Sequence, residues 1–141
     1  MIKLKDLLLL LKENDVAQIK PKYSAVAIDG QSRTTLLTHF QNMIPDGWEV
    51  IAHHMTINPF GTVPDEEVNK PVQLSVNEVG KDDKALAVKV SGYDKPTKNK
   101  FAHITIAINR QGGAKPKDSN TIANWTKIDQ LIILKGTVQN I

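Results

Sequence analysis

Two short segments of the chain repeat one pattern, a histidine and a threonine two residues apart inside an apolar run. The first is His54-Met55-Thr56-Ile57 and the second is His103-Ile104-Thr105-Ile106. Both runs are typical of β-strands, in which side chains two residues apart share one face. One such triplet is what any half-buried strand shows. Two copies in the same phase predict a site where two imidazoles and two hydroxyls share one cleft.

This set of side chains suits metal-free attack on a phosphodiester. Of His54 and His103, one imidazole can take a proton from the nucleophile while the other gives a proton to the leaving oxygen. The hydroxyls of Thr56 and Thr105 can donate hydrogen bonds to the non-bridging phosphate oxygens. The alternative is two unrelated strands with structural histidines. Each motif alone favours that alternative, whereas the two together favour a catalytic site.

The paired motifs resemble those of the 2H phosphoesterases, a superfamily with two His-x-Thr/Ser motifs on facing strands of a duplicated α+β fold. The likeness spans roughly residues 15–140. Within the superfamily, the chain resembles the phage branch, which includes the anti-CBASS nucleases, and the Swiss-army-knife RNA-repair-like group. The segments that carry it are Lys22-Tyr23-Ser24-Ala25-Val26, Ala52-His53-His54-Met55-Thr56-Ile57-Asn58, His103-Ile104-Thr105 and Gly112-Gly113-Ala114-Lys115-Pro116.

The resemblance implies one α+β domain over residues 1–141, with antiparallel sheets forming a cleft between two pseudo-repeated lobes and helices packed outside. It implies a hydrolase that opens the 3′–5′ linkages of cyclic di- or trinucleotide immune signals without a metal or other cofactor. Its catalytic residues would be His54, Thr56, His103 and Thr105. A 2′,3′-cyclic phosphodiesterase acting on RNA ends and a non-catalytic module that sequesters cyclic nucleotides are the alternatives. Intact histidines favour an enzyme, since Arg or Lys would serve phosphate binding better.

Three further residues are candidates for ligand binding. By resemblance, Tyr23 stacks on a nucleobase; the competing interpretation is a half-buried tyrosine at a strand end. Gly113 and Lys115 follow the second motif strand, where glycine lets backbone N–H groups approach a phosphate and lysine adds charge. A hairpin turn with exposed lysines explains them equally well. Trp48 and Trp125 are predicted to pack in the core, and a role as base platforms stays open.

The remaining histidines, His53 and His39, are predicted to have no catalytic role. His53 should project from the opposite face of the strand to His54, which makes it a structural or surface residue. His39 lies on a predicted helix among polar residues and should be exposed. A metal site built from His53, His54 and His103 is disfavoured, because adjacent strand residues diverge and no carboxylate completes a familiar spacing.

Composition limits the compartment and the partners. The 141 residues contain no cysteine, which excludes a thiol nucleophile and fits a reducing cytoplasm, that of the host if the protein is phage-encoded. A net charge of +3 suits a small polyanionic ligand, such as a cyclic oligonucleotide or an RNA end, and no duplex DNA partner is expected. The longest apolar run, Leu7–Leu11, is far shorter than the ~20 residues of a membrane span. It predicts an amphipathic helix for core packing, and docking of a partner subunit through it stays open.

Hydrophobic periodicity and turn residues give a coarse order of elements. A helix should begin at an N-cap on Ser32 and continue through Asn42. A second helix is either cut down or lies near Ser119–Trp125. The predicted strands are 23–28, 48–58, 72–79, 86–90, 101–109 and 131–138, and the predicted loops are 60–71, 91–100 and 112–120.

Overall fold

A computed structural model describes residues 22–141, so the predicted leucine-rich N-terminal helix lies outside the described part of the chain. The strands are β1 (Ser24–Ile28), β2 (Glu49–Val50), β3 (His54–Asn58), β4 (Pro71–Lys81), β5 (Ala85–Ser91), β6 (His103–Ile108), β7 (Trp125–Lys127) and β8 (Ile133–Asn140). One α-helix in this range, α1, covers Gly30–Phe40. Short 3₁₀ turns lie at Gln41–Met43, Asp65–Glu67, Arg110–Gly112 and Pro116–Thr121.

Six of the strands form a closed antiparallel barrel. They follow the order β6-β3-β1-β8-β4-β5, and the pairing of β5 with β6 closes the ring. The short strand β2 adds to β6, and β7 adds to β4. The expected α+β fold with two pseudo-repeated lobes, an open cleft and helices outside is therefore wrong. The reason is long-range pairing, because the second motif strand joins β5 on one side and β3 on the other and leaves no gap between two sheets.

The helix α1 covers part of the barrel core. Asp29 caps it, because the Asp29 carboxylate accepts a hydrogen bond of 2.7 Å from the N–H of Ser32. The prediction of Ser32 as the N-cap is wrong; Ser32 is buried, and its hydroxyl accepts the N–H of Lys135 at 2.7 Å. Leu36 and Phe40 join the main core. In residues 22–141 no helix combines the length and apolar character required to cross a bilayer.

Alternation in the two motif strands decides which side chains face the core. Met55 and Ile57 of β3 and Ile104 and Ile106 of β6 are buried in the main apolar cluster. The intervening histidines and threonines therefore lie on the outer face of the barrel wall. Since full burial of an aliphatic side chain is worth about 1.5–3 kcal/mol, this alternation determines the orientation of both strands.

A second, smaller apolar cluster holds the segment after β6 against the outer wall. Ala85 and Ala87 of β5 alternate with core residues and belong to this cluster, together with Ile108. Ala114 and Ile122 cover them from the chain that follows β6. The 3₁₀ turn Pro116–Thr121 is thereby held beside β6; it replaces the predicted second helix near Ser119–Trp125.

The strand predicted over 48–58 is broken in the middle. Four residues, 51–54, lie between the pairs Val50↔Ala107 and Met55↔Ile104, and they oppose two residues of β6. Ala52, which is fully buried, has a φ of 44° in the left-handed region. Such irregularities bend a strand and redirect its side chains. Here the irregularity lies directly before His54.

Candidate active site

One cavity of about 130 Å³ collects all four motif side chains, His54, Thr56, His103 and Thr105. The motifs meet because β3 and β6 are antiparallel neighbours with Met55 opposite Ile104. The remaining lining residues are Ile51, Pro59, Asn99, Pro116, Lys117 and Asn120.

His103 has a fixed proton position. Its Nδ1 lies 3.0 Å from the carbonyl oxygen of Phe101, and a carbonyl only accepts, so Nδ1–H donates and Nε2 is the free nitrogen. The side chain is 6% exposed. Burial lowers the pKa of His103, and the hydrogen bond to Phe101 partly opposes that shift.

His54 contacts two rings, those of His53 and Tyr23. Its Nδ1 is 2.9 Å from Nδ1 of His53, and its ring centroid is 5.7 Å from that of Tyr23. Burial lowers the pKa of His54 to about 4, and the charges of His53 and His103 act in the same direction. At neutral pH His54 is therefore an uncharged imidazole.

The prediction that His53 points away from His54 is wrong. His53 is exposed, but its ring centroid lies 5.1 Å from that of His54, with the rings at 80°. Side chains of adjacent residues diverge in a regular strand. The left-handed Ala52 and the two extra residues before Met55 remove that regularity.

The two threonines have different surroundings. The Thr105 hydroxyl is buried, 2.8 Å from the Ser119 hydroxyl and 3.3 Å from the carbonyl oxygen of Pro116. The Thr56 hydroxyl is half-buried and makes no hydrogen bond within the described residues 22–141. Thr56 therefore offers a hydroxyl proton directly, whereas Thr105 belongs to a hydroxyl pair with Ser119.

Tyr23 lies beside the site, through its contact with His54, while Gly113 and Lys115 do not line the cavity. The N–H of Gly113 donates to the carbonyl of Arg110, and the N–H of Lys115 donates to the Asp118 carboxylate at 2.8 Å. These backbone donors are thus engaged in the turns themselves. The residues that follow, Pro116 and Lys117, line the cavity instead.

Residues that the sequence interpretation did not single out complete the lining. Lys117 brings a positive charge and Asn99 and Asn120 bring amides. Asn99 reaches the cavity because its loop is attached to β3, where the N–H of Lys98 donates to the carbonyl of Ile57 at 2.8 Å. Lys117 lies two residues after the candidate Lys115, but the position of a turn relative to a strand has no sequence signal.

Trp125 is a packing residue. Its Nε1–H donates to the carbonyl of Ile122 at 3.0 Å, and its ring lies so close to Gly80 that a Cβ there would be 2.6 Å away. The Lys89 ammonium lies 4.7 Å from the Trp125 ring and 4.8 Å from the Phe101 ring. Trp48 is half-buried against the main core.

Acid, base and hydroxyl groups are the chemistry that this cavity offers. Across residues 22–141, no three side chains of His, Cys, Asp or Glu cluster as ligands for a metal ion. Neither a known protein family nor any curated protein matches the chain. Fold and site together define an antiparallel barrel with a paired-histidine cavity on its outer wall.

Proposed function

We propose that this protein is a phosphodiesterase that uses His54 and His103 as its base and its acid. One observation carries the proposal: His54, Thr56, His103 and Thr105 line a single cavity of about 130 Å³. Two imidazoles can move both protons of a phosphoryl transfer without a Lewis acid, and two hydroxyls can bind the non-bridging oxygens. The barrel itself adds no support, since folds host many unrelated chemistries.

The different surroundings of His54 and His103 support different roles for them. The lowered pKa of His54, about 4, keeps a lone pair on that ring and makes it the base. We assign the acid to His103. Burial lowers its pKa, the hydrogen bond to the Phe101 carbonyl partly opposes that shift, and the charged ring has its Nε2–H for the leaving oxygen. A phosphodiester anion between them raises both pKa values and helps to protonate His103.

The step balances with these two groups alone. His54 takes a proton from the attacking water as the water oxygen bonds to phosphorus. The bond from phosphorus to the leaving oxygen breaks, and His103 protonates that oxygen. Thr56 donates to a non-bridging oxygen, and Lys117 adds a positive charge to the cavity. Thr105 donates after its hydroxyl proton turns away from the Pro116 carbonyl and the Ser119 hydroxyl.

The cavity size supports a nucleotide ligand that is only partly enclosed. Sites that enclose a whole small molecule measure about 300–1,000 Å³, so this cavity accommodates a phosphate group and leaves sugars and bases outside. Tyr23, beside His54, is the aromatic surface on which a base can stack. With the resemblance of the motifs, this favours cyclic di- or trinucleotide messengers of the bacterial cytoplasm, cut at a 3′–5′ linkage.

The test is incubation with a panel of cyclic di- and trinucleotides and an oligoribonucleotide ending in a 2′,3′-cyclic phosphate, all in excess EDTA. Wild type and the control His39→Asn, which changes an exposed histidine on α1, should open the cyclic oligonucleotides. The double variant His54→Asn/His103→Asn should not. Tight binding with intact ligand would indicate a sequestering module instead. Consumption of the RNA end alone would indicate the RNA-repair activity, and no binding at all would refute the proposal.

A further inference from the structure

We propose that His53 is a positioning residue that decides which ring nitrogen of His54 carries the proton. This inference rests on the proposed function, in which His54 is the base. His53 does not line the cavity, so it acts on the reaction only through His54.

Only one proton can lie between the two Nδ1 atoms of His53 and His54. The Nδ1 atoms of His53 and His54 are 2.9 Å apart, a hydrogen-bond distance. Two lone pairs or two N–H groups would repel at this distance, so one nitrogen donates and the other accepts. The tautomers of the two rings are therefore coupled.

Only one of the two arrangements makes His54 a base. When His54 donates from Nδ1, its Nε2 has a free lone pair for the proton of the nucleophile. When His53 donates, the proton of a neutral His54 lies on Nε2 and the base is lost. His53 is exposed, so its own Nε2–H can face water while its Nδ1 accepts from His54. The groups that face His54 are His53, His103 and Tyr23.

The backbone holds this contact in place at a conformational cost. Ala52 adopts the left-handed region, which an alanine rarely occupies, while fully buried. Hydrogen bonds on both sides hold it there: the N–H of Ala52 donates to the carbonyl of Thr105, and the N–H of Ile28 donates to the carbonyl of His53, each at 3.0 Å. Since the His53 side chain is exposed, core packing does not explain its position, and strained backbone of this kind clusters at functional sites.

A substitution series at position 53 separates hydrogen-bond acceptance from mere bulk. Asparagine can place an acceptor near the position of Nδ1, phenylalanine keeps a planar aromatic ring without any acceptor, and lysine can only donate. We expect His53→Asn to stay within about threefold of the wild-type kcat. We expect His53→Phe to lower kcat about 10- to 100-fold at unchanged KM, as is typical when a residue that orients a histidine is lost. His53→Lys, which stabilises the wrong tautomer, should be slower than His53→Phe.

A second readout does not depend on turnover. ¹⁵N NMR of the histidine rings, at a pH where His54 is neutral, should show wild-type His54 protonated on Nδ1. In His53→Phe it should show a mixture of tautomers, and in His53→Asn the wild-type pattern. Circular dichroism checks that each variant is folded. If His53→Phe does not fold, His53→Lys is compared with His53→Asn instead, and His54 in His53→Lys should then carry its proton on Nε2.

Two results would overturn the inference. One is wild-type His54 with its proton on Nε2; the other is a His53→Phe variant with the wild-type tautomer and rate. If wild type cleaves no nucleotide, the proposed function fails. The NMR comparison then still decides whether His53 sets the tautomer of His54.

Discussion

The Nδ1–H of His103 donates a hydrogen bond of 3.0 Å to the carbonyl oxygen of Phe101, whereas Nδ1 of His54 lies 2.9 Å from Nδ1 of His53. A carbonyl can only accept, so the tautomer of His103 cannot change. An imidazole can accept or donate, so the tautomer of His54 depends on His53. The two histidines that line the cavity are thus held by partners of different kinds, which supports different roles for them in a proton transfer.

Replacement of either cavity histidine should strongly slow turnover without unfolding the barrel. We expect His54→Asn and His103→Asn each to lower kcat about 10²- to 10⁴-fold, the usual contribution of a positioned acid or base. The kcat of the double variant should be about equal to that of the slower single variant, since the effects of residues that act as a unit are non-additive. Steady-state kinetics with circular dichroism as the folding check measures this, and His39→Asn is the control. Additive losses in the double variant would contradict a concerted role.

Substitution of Thr105 should mainly lower the stability of the protein, whereas substitution of Thr56 should lower the rate of turnover with little effect on stability. Thr105→Ala leaves the buried Ser119 hydroxyl without its partner, so the free energy of unfolding should fall by about 1–3 kcal/mol. Thr56→Ala breaks no hydrogen bond in the described chain and should change the free energy of unfolding by about 0.5 kcal/mol or less. It should nevertheless slow turnover about 10²-fold, as loss of a single oxyanion donor does.

Urea unfolding of both variants, with Ser119→Ala added for a double-mutant cycle, gives the coupling between Thr105 and Ser119. The exposed Thr38→Ala on α1 is the control for Thr56. Equal destabilisation by Thr56→Ala and Thr105→Ala would contradict the difference between their surroundings.

Periodicity in the sequence predicted which motif side chains share a face, whereas it did not predict how the strands pair. Because alternation is local, it placed His54 with Thr56 and His103 with Thr105 on one face each. Closure of the barrel depends on which strands pair. No pattern within the sequences of β5 and β6 predicts that Lys89 lies opposite His103. The resemblance suggested two lobes, and the long-range pairing made one ring.

The details of the site depend on residues that give no sequence signal. Ala52 adopts a positive φ, yet alanine does not mark such positions as Gly or Asn does. Contact between His53 and His54 follows from that irregularity. Ser119 meets Thr105 only because Ala114 and Ile122 hold the segment after β6 on the outer wall.

Acidification should destabilise the protein through His54. Its pKa is 6.5 when unfolded and about 4 when folded, so between these values the unfolded state binds more protons. The free energy of unfolding contributed by this group is complete above pH 6.5 and is lost as the pH falls towards 4, by at most about 3 kcal/mol. Urea unfolding at several pH values should show a smaller loss in His54→Asn than in wild type or His39→Asn. The lowered pKa of His103 acts in the same direction and leaves a residual slope.

The pH profile of kcat/KM should be a bell with its maximum on the acid side of pH 6.5. Activity should rise as His54 loses its proton, with a pKa of about 4, and fall as His103 loses its proton below its ordinary pKa. The two apparent values belong to the coupled pair. An initial-rate series from pH 4 to 9 at low substrate concentration measures the profile, and a maximum above pH 7 would contradict the assignment.

Tyr23 should contribute to binding rather than to the chemical step. Its ring lies 5.7 Å from that of His54, at 43°, and it is half-buried, which leaves part of the ring for a ligand. Stacking on a nucleobase is worth about 1–3 kcal/mol, so Tyr23→Ala should raise KM about 5- to 150-fold. kcat should change little, because stacking acts equally on the ground state and the transition state. Tyr23→Phe keeps the ring and should match wild type in both parameters. A loss of kcat at unchanged KM in Tyr23→Ala would instead mean that the ring supports His54 and touches no base.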